Sequence, residues 1–366
     1  MKKNINKITI FIFLGLLYTL SILNIFAPKN DISYNENRTL AKAPEFTIEN
    51  LIEGKYTEEL EVYVQDQFVL RDQFIMINAI FNQALLKLES NNVYIGKDNY
   101  LFNQFISYDY DNLKYNIKNL NNFINPFTVI LVPNSQTIND NLLSKYAYNI
   151  NQDEVTDNIA KQLLDHVTLI DVYDSLKEVD DAYFQTDHHW NHLGAYKIYQ
   201  EYMISKGLKP LEYTFSEVTN DFKGTLYSKS GLFYYPSESL YKINELDNYD
   251  ISVKFNQEDT IYDSVYFDEQ LLKKDKYLYY FKDNFGQVRI TNNNSLTDNK
   301  LIVVKDSYAN ILVPYLIPHY SEIIMIDLRH NIDKVSEIME KEDISEMLFI
   351  YSVDQFVNSR ELAFLR

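Results

Sequence analysis

Cysteine is absent from the 366 residues. That removes disulfides, thiolate metal sites and thiol nucleophiles together, as an exported chain tolerates where no disulfide-forming system acts. Basic residues are scarce, with 34 Lys and Arg against 52 Asp and Glu, for a formal net charge of −18. No nucleic-acid partner is expected, because phosphate binding needs a basic surface. Charge is missing altogether from residues 8–27, "ITIFIFLGLLYTLSILNIFA". At ~1.5 Å per helical residue this run crosses a hydrocarbon core of about 30 Å. Lys2, Lys3 and Lys7 precede it, and the positive-inside rule keeps the short N-terminus in the cytoplasm. A cleavable signal peptide is the rival reading, but no small-x-small cleavage site precedes Pro28. The expectation is a single-pass protein of the cell membrane whose C-terminal domain is extracellular.

What is present is globular: hydrophobic residues make up 46% of the chain. Short, nearly continuous apolar runs occur at 127–132, 167–173, 300–305, 322–327 and 346–351. They do not alternate, which suits parallel strands covered on both faces. Helical patterns at about 151–165, 191–206, 308–317 and 332–342 separate them, so a doubly wound α/β domain is expected. Residues 211–297 break the rhythm with a tyrosine-rich, β-rich insertion. Strand packing explains those tyrosines more simply than sugar stacking does. The organisation reads as a membrane anchor (1–27), an extended and helical stalk (28–92), an α/β domain in two parts (93–210 and 298–366) and the insertion (211–297) between them.

"QTDHHWNHLGAY" (185–196) holds three of the six histidines and the only tryptophan. Metal binding, acid–base catalysis and a buried helix start compete for it. His188 and His192 are four apart, as in a zinc helix, but no Glu fills the general-base slot and no third ligand is marked. No metal and no cofactor is therefore expected. Asp187 and His189 are two apart in a loop, so both side chains face one side. The carboxylate then accepts from one imidazole nitrogen and leaves the other as general base. "KLIVVKDSYANILV" (300–313) supplies a nucleophile, Ser307, at the end of a strand and the start of a helix. Such a helix N-terminus offers N–H groups to a developing oxyanion. Capping of that helix by Asp306 and Ser307 is the plainer alternative.

The segments "NENRTLAKAPEF", "VQDQFVLRDQF", "YIGKDNYLF", "TDHHWNHLGAY", "DFKGTLYSKSG", "VKDSYAN" and "DLRH" resemble the bacterial DHHW family. More distantly, the chain resembles the SGNH-hydrolase-like domain of the alginate O-acetylation proteins, which also carry Asp-x-His before the serine. The resemblance implies a circularly permuted SGNH-hydrolase-like parallel sheet with helices on both faces. Ser307, His189 and Asp187 fall on its catalytic positions. It implies an O-acyltransferase or esterase acting on a cell-surface polysaccharide, with a membrane-bound O-acyltransferase as acyl donor. Departures are plain. Lys305 replaces the glycine of Gly-Asp-Ser, and "YSVDQF" lacks the Gly-x-Asn-Asp that supplies an oxyanion donor, leaving Gln355 or the Ser352 hydroxyl as substitutes. His188 is expected to contact substrate or serve structure. Arg329 either binds an anion or closes a salt bridge, and Asn134 either lines the pocket or forms a turn. The alternative of another class is a non-catalytic glycan-binding or scaffold protein of the cell envelope.

Overall fold

The computed structural model describes residues 2–366, with side chains from Asn6 onward. Lys2 and Lys3, on which the topology expectation partly rests, lie outside those side chains. Helix α1 (Lys2–Phe26) contains Asn6–Phe26, which is long and apolar enough to cross a membrane and is not buried in the protein. It is an anchor or a signal sequence.

The chain forms two compact units. One comprises residues up to Lys87 together with Ser228–Tyr234. It contains α1, α2 (Lys55–Asp66) and α3 (Arg71–Ala84). Its polar entry segment is fixed by charge: Arg38 forks onto buried Asp66, and Arg71 onto Glu36. Arg71 is thus tied up in a structural ion pair.

The other unit, Leu88–Tyr227 with Tyr235–Arg366, holds an eight-stranded sheet. Its strands are β1 (Phe127–Val132), β2 (Val167–Ile170), β3 (Ile251–Phe255), β4 (Ile261–Tyr262), β5 (Gln287–Asn292), β6 (Lys300–Lys305), β7 (Glu322–Ile326) and β8 (Glu346–Ser352). The spatial order is β4-β3-β5-β7-β6-β8-β1-β2. The pairs from β7 through β2 are parallel, and those of β3, β4 and β5 are antiparallel. Counted from β6, the parallel part runs 2-1-3-4-5, a doubly wound order entered by the chain at its fourth strand. This order and point of entry are those of the circularly permuted parallel sheet that the resemblance implies.

Burial explains why those runs do not alternate. Ile130, Val132, Leu301, Val303, Leu348 and Ile350 enter one core. Their neighbours Val129, Leu131, Ile302, Val304, Met347 and Phe349 enter a second core on the other face. Each such side chain, fully removed from water, contributes roughly 1.5–3 kcal/mol before conformational entropy is subtracted. Only Val167 of edge strand β2 is buried. The insertion does not stand apart: β5 pairs with β7 from Gln287 opposite Ile326 to Thr291 opposite Glu322. It extends the same sheet.

Candidate functional site

Helix α4 (His192–Ser205) begins where Asn191 stops the loop, its side-chain oxygen accepting from Leu193 N and Gly194 N. Just before it, buried Trp190 donates its indole N–H to the Tyr308 carbonyl at 2.9 Å. This ties the histidine loop to the turn that follows β6. Asp187 and His189 are both almost fully buried there.

The Asp187 carboxylate is saturated. Oδ1 lies 3.0 Å from the His189 N–H and 2.5 Å from His189 Nδ1. Oδ2 accepts from Thr225 N at 2.7 Å and Thr225 Oγ1 at 3.0 Å. Burial alone would push this carboxyl up. The positive character of His188 and His189 and the donated hydrogen bonds outweigh it and hold the group well below the usual carboxylate range. An ionised carboxylate only accepts, so Nδ1 of His189 carries the proton and Nε2 is left as acceptor. Ser307 Oγ sits 2.7 Å from that Nε2. Asp187, His189 and Ser307 form one hydrogen-bonded row.

The turn that carries Ser307 is held by its neighbour. Asp306 receives Tyr308 N on one oxygen (3.0 Å) and Ser352 N on the other (2.7 Å), bridging the ends of β6 and β8. Its burial pushes its pKa up. Lys305, where the family pattern has glycine, is buried and donates to Asn310 Oδ1 at 2.8 Å, with Asp327 3.9 Å away.

His188 donates from Nδ1 to Thr225 Oγ1 at 2.8 Å, so it buttresses the residue that fastens Asp187. Burial and the adjacent His189 charge hold its pKa down to about 4. His192 lies elsewhere, its ring against Phe215 and Tyr241, and burial lowers its pKa to about 4. Asp187, His188 and His189 do bring three potential metal-ligating atoms within 4.8 Å of one another. The Asp187 oxygens and the His189 nitrogens are already committed to the bonds above, which does not suit a metal.

Ser307 opens onto a cleft of about 260 Å³. Asn134, His188, Arg329 and Gln355, the four expected binding residues, all line it. Arg329 is also paired in a fork to Asp327, at 2.9 and 2.6 Å. The Gln355 amide donates to Glu361 at 2.8 Å, and Ser352 Oγ accepts from Gln355 N at 3.2 Å. Asn134 accepts from the Tyr308 hydroxyl at 3.4 Å.

Several residues of the site carry no mark in the sequence. Tyr277 stacks on His189 with ring centroids 3.9 Å apart and planes 7° from parallel. Its hydroxyl donates to the Ser307 carbonyl at 2.8 Å. Gly224 is required where it stands, since a Cβ there would lie 2.3 Å from the Asp187 Cβ. Glu238 accepts from Gln185 N, Thr186 N and Thr186 Oγ1 at 2.5–2.8 Å, holding the approach to Asp187. Of these, only Gly224 and Thr225 lie in a stretch, "DFKGTLYSKSG", that the family resemblance draws attention to.

A DHHW family protein from Eubacterium siraeum shares this fold. The TM-score is 0.65 at 20% identity, over 75% of this chain and 95% of that one. Bacillus cereus PatB1 is similar as well. With a sulfonyl adduct it aligns at a TM-score of 0.63 and 22% identity, over 75% of this chain and 98% of that one. Without the adduct the values are 0.61 and 24%, over 73% and 97%. The resemblance to the DHHW family is therefore carried by the fold as well as by the motifs. No protein-family model and no curated relative matches the chain.

Proposed function

We propose that the protein is a membrane-anchored, extracytoplasmic serine acyltransferase or esterase that modifies a cell-surface glycan. The observation that carries this reading is the hydrogen-bonded row Asp187–His189–Ser307 opening onto a cleft. Ser307 Oγ attacks the carbonyl carbon of an acyl ester while His189 Nε2 takes its proton. Asp187 keeps the imidazole in the required tautomer and stabilises the imidazolium. Tyr308 N and Asn310 N, at the start of the helix after Ser307, already bond Asp306 Oδ1 and the Ser307 carbonyl, so the developing oxyanion is left to groups that line the cleft. The tetrahedral adduct collapses, the donor alcohol leaves with the proton from His189, and Ser307 holds the acyl group. A sugar hydroxyl or water, deprotonated by His189, then displaces Ser307 from the acyl carbon. Outside the cell, a membrane-bound O-acyltransferase is the natural supplier of acyl groups. The sulfonyl adduct of PatB1 is in keeping with a nucleophile in a protein of this fold.

A non-catalytic glycan-binding role is the second reading. It is favoured by the segment Ser352–Gln355, where the usual Gly-x-Asn-Asp donor is missing and the Ser352 and Gln355 side chains serve local bonds. Turnover of p-nitrophenyl acetate by the full chain separates the two. Catalysis predicts turnover that Ser307→Ala abolishes; the second reading predicts no turnover above the uncatalysed hydrolysis.

A further inference from the structure

The cleft at Ser307 is smaller than the ~300–1,000 Å³ of pockets that enclose whole ligands. It has room for the reacting end of a substrate, so the remainder must lie elsewhere on the surface. A larger cleft, about 820 Å³, lies along the same edge of the sheet. Gln136 and Thr137, just past the end of β1, line it, as does Tyr173, just past the end of β2. In sheets of this kind ligands bind outside the carboxyl ends of the strands. Asn134, which lines the Ser307 cleft, precedes Gln136 and Thr137 in the same turn of chain. The two clefts are therefore neighbours on one edge.

Polar side chains make up much of the lining of the larger cleft. Gln136 and Thr137 are 1% and 4% exposed, and Gln136 Nε2 and Thr137 Oγ1 make no hydrogen bond. Both atoms are closed off from the surface, so the contacts open to a ligand come from the more exposed residues of the lining. At its rim Tyr146 is 77% exposed, and Tyr173 is half-buried. A tyrosine face joins an apolar surface to a polar tip, and that suits a sugar ring with its C–H face and hydroxyl edge. Lys97 and Lys145 also line the cleft, with Asp140 as the acidic residue among them.

We propose that this cleft binds further sugar units of a glycan chain whose terminal or internal hydroxyl reaches Ser307. The choice of a glycan rests on the function proposed above; the existence of a binding site does not. The test uses the full chain in lipid nanodiscs, with calorimetry and hydrogen–deuterium exchange. The probes are the tetramer and monomer of N-acetylglucosamine, and tetragalacturonate as an acidic counterpart that would engage the lysines. The expected result is that at least one tetramer binds, more tightly than the monomer, and protects amides in 134–147. Tyr146→Ala should weaken that tetramer about fivefold, with turnover of p-nitrophenyl acetate unchanged. Failure of both tetramers to bind, or binding indifferent to Tyr146→Ala and Tyr173→Ala, overturns the site. Tetramer binding by a chain inert toward the ester would leave the site standing and defeat the catalytic reading instead. Ester turnover with no tetramer bound would do the reverse.

Discussion

Asp187 and Thr225, 38 residues apart in sequence, meet through two hydrogen bonds, and most of what distinguishes the three clustered histidines follows from that contact. His189 faces Ser307, His188 supports Thr225, and His192 packs between aromatic rings. His189→Ala and Ser307→Ala should each lower acyl turnover by about 10⁴-fold or more. Their double variant should be no worse, because members of such a row act as a unit. Asp187→Asn should cost about 10⁴-fold, since the amide favours the wrong tautomer. His192→Ala should lower the melting temperature and leave turnover within about threefold, because it removes packing and not a reacting group. A metal centre at Asp187, His188 and His189 would give a different ranking, with His188→Ala severe and Ser307→Ala harmless. Steady-state kinetics and thermal melts on the same preparations read both. The meeting of Asp187, His189 and Ser307 was legible in the sequence from the Asp-x-His spacing and the place of the serine at a strand end. Tyr277 was not, since nothing in a tyrosine-rich segment distinguishes the one ring that stacks on an imidazole.

At the scale of elements, the apolar runs announced β1, β6, β7 and β8 because both faces of those strands are buried. The insertion was legible as β-rich, but its place was not. Pairing of β5 with β7 depends on register and on contacts distant in sequence, for which short strands carry little local signal. The same insertion delivers Gly224, Thr225, Glu238 and Tyr277 to the histidine loop, so it is part of the site's support. Gly224→Ala tests this. The added methyl would sit 2.3 Å from the Asp187 Cβ and must displace it. A shift of about 1 Å at a reacting constellation costs on the order of 10²-fold. The expected outcome is turnover reduced by that order, with far-ultraviolet circular dichroism unchanged. Turnover equal to that of the unaltered protein would mean that the insertion does not position Asp187.

For the whole molecule, acid sensitivity follows from buried neutral imidazoles. His319 is 7% exposed, its Nε2 2.8 Å from the Tyr199 hydroxyl, and burial lowers its pKa from 6.5 to about 4. The unfolded chain then binds more protons between those values, so the contribution of His319 is full above pH 6.5 and is lost as pH falls toward 4. Between pH 7 and pH 5 that loss is on the order of 2 kcal/mol. His319→Gln should narrow the gap in stability between those two pH values, read by denaturant titration; an unchanged gap would refute the assignment. The N-terminal helix makes a second claim at this scale. Protease added to intact cells should degrade the chain beyond about residue 30, and full protection would rule out an extracellular domain.

The central claim, that Ser307 is a nucleophile activated by His189, is tested most directly by treating the full-length protein with a fluorophosphonate and mapping the adduct by mass spectrometry. One modified site is predicted, on Ser307, and it is lost in His189→Ala. An unmodified Ser307, or labelling undiminished without His189, would contradict it.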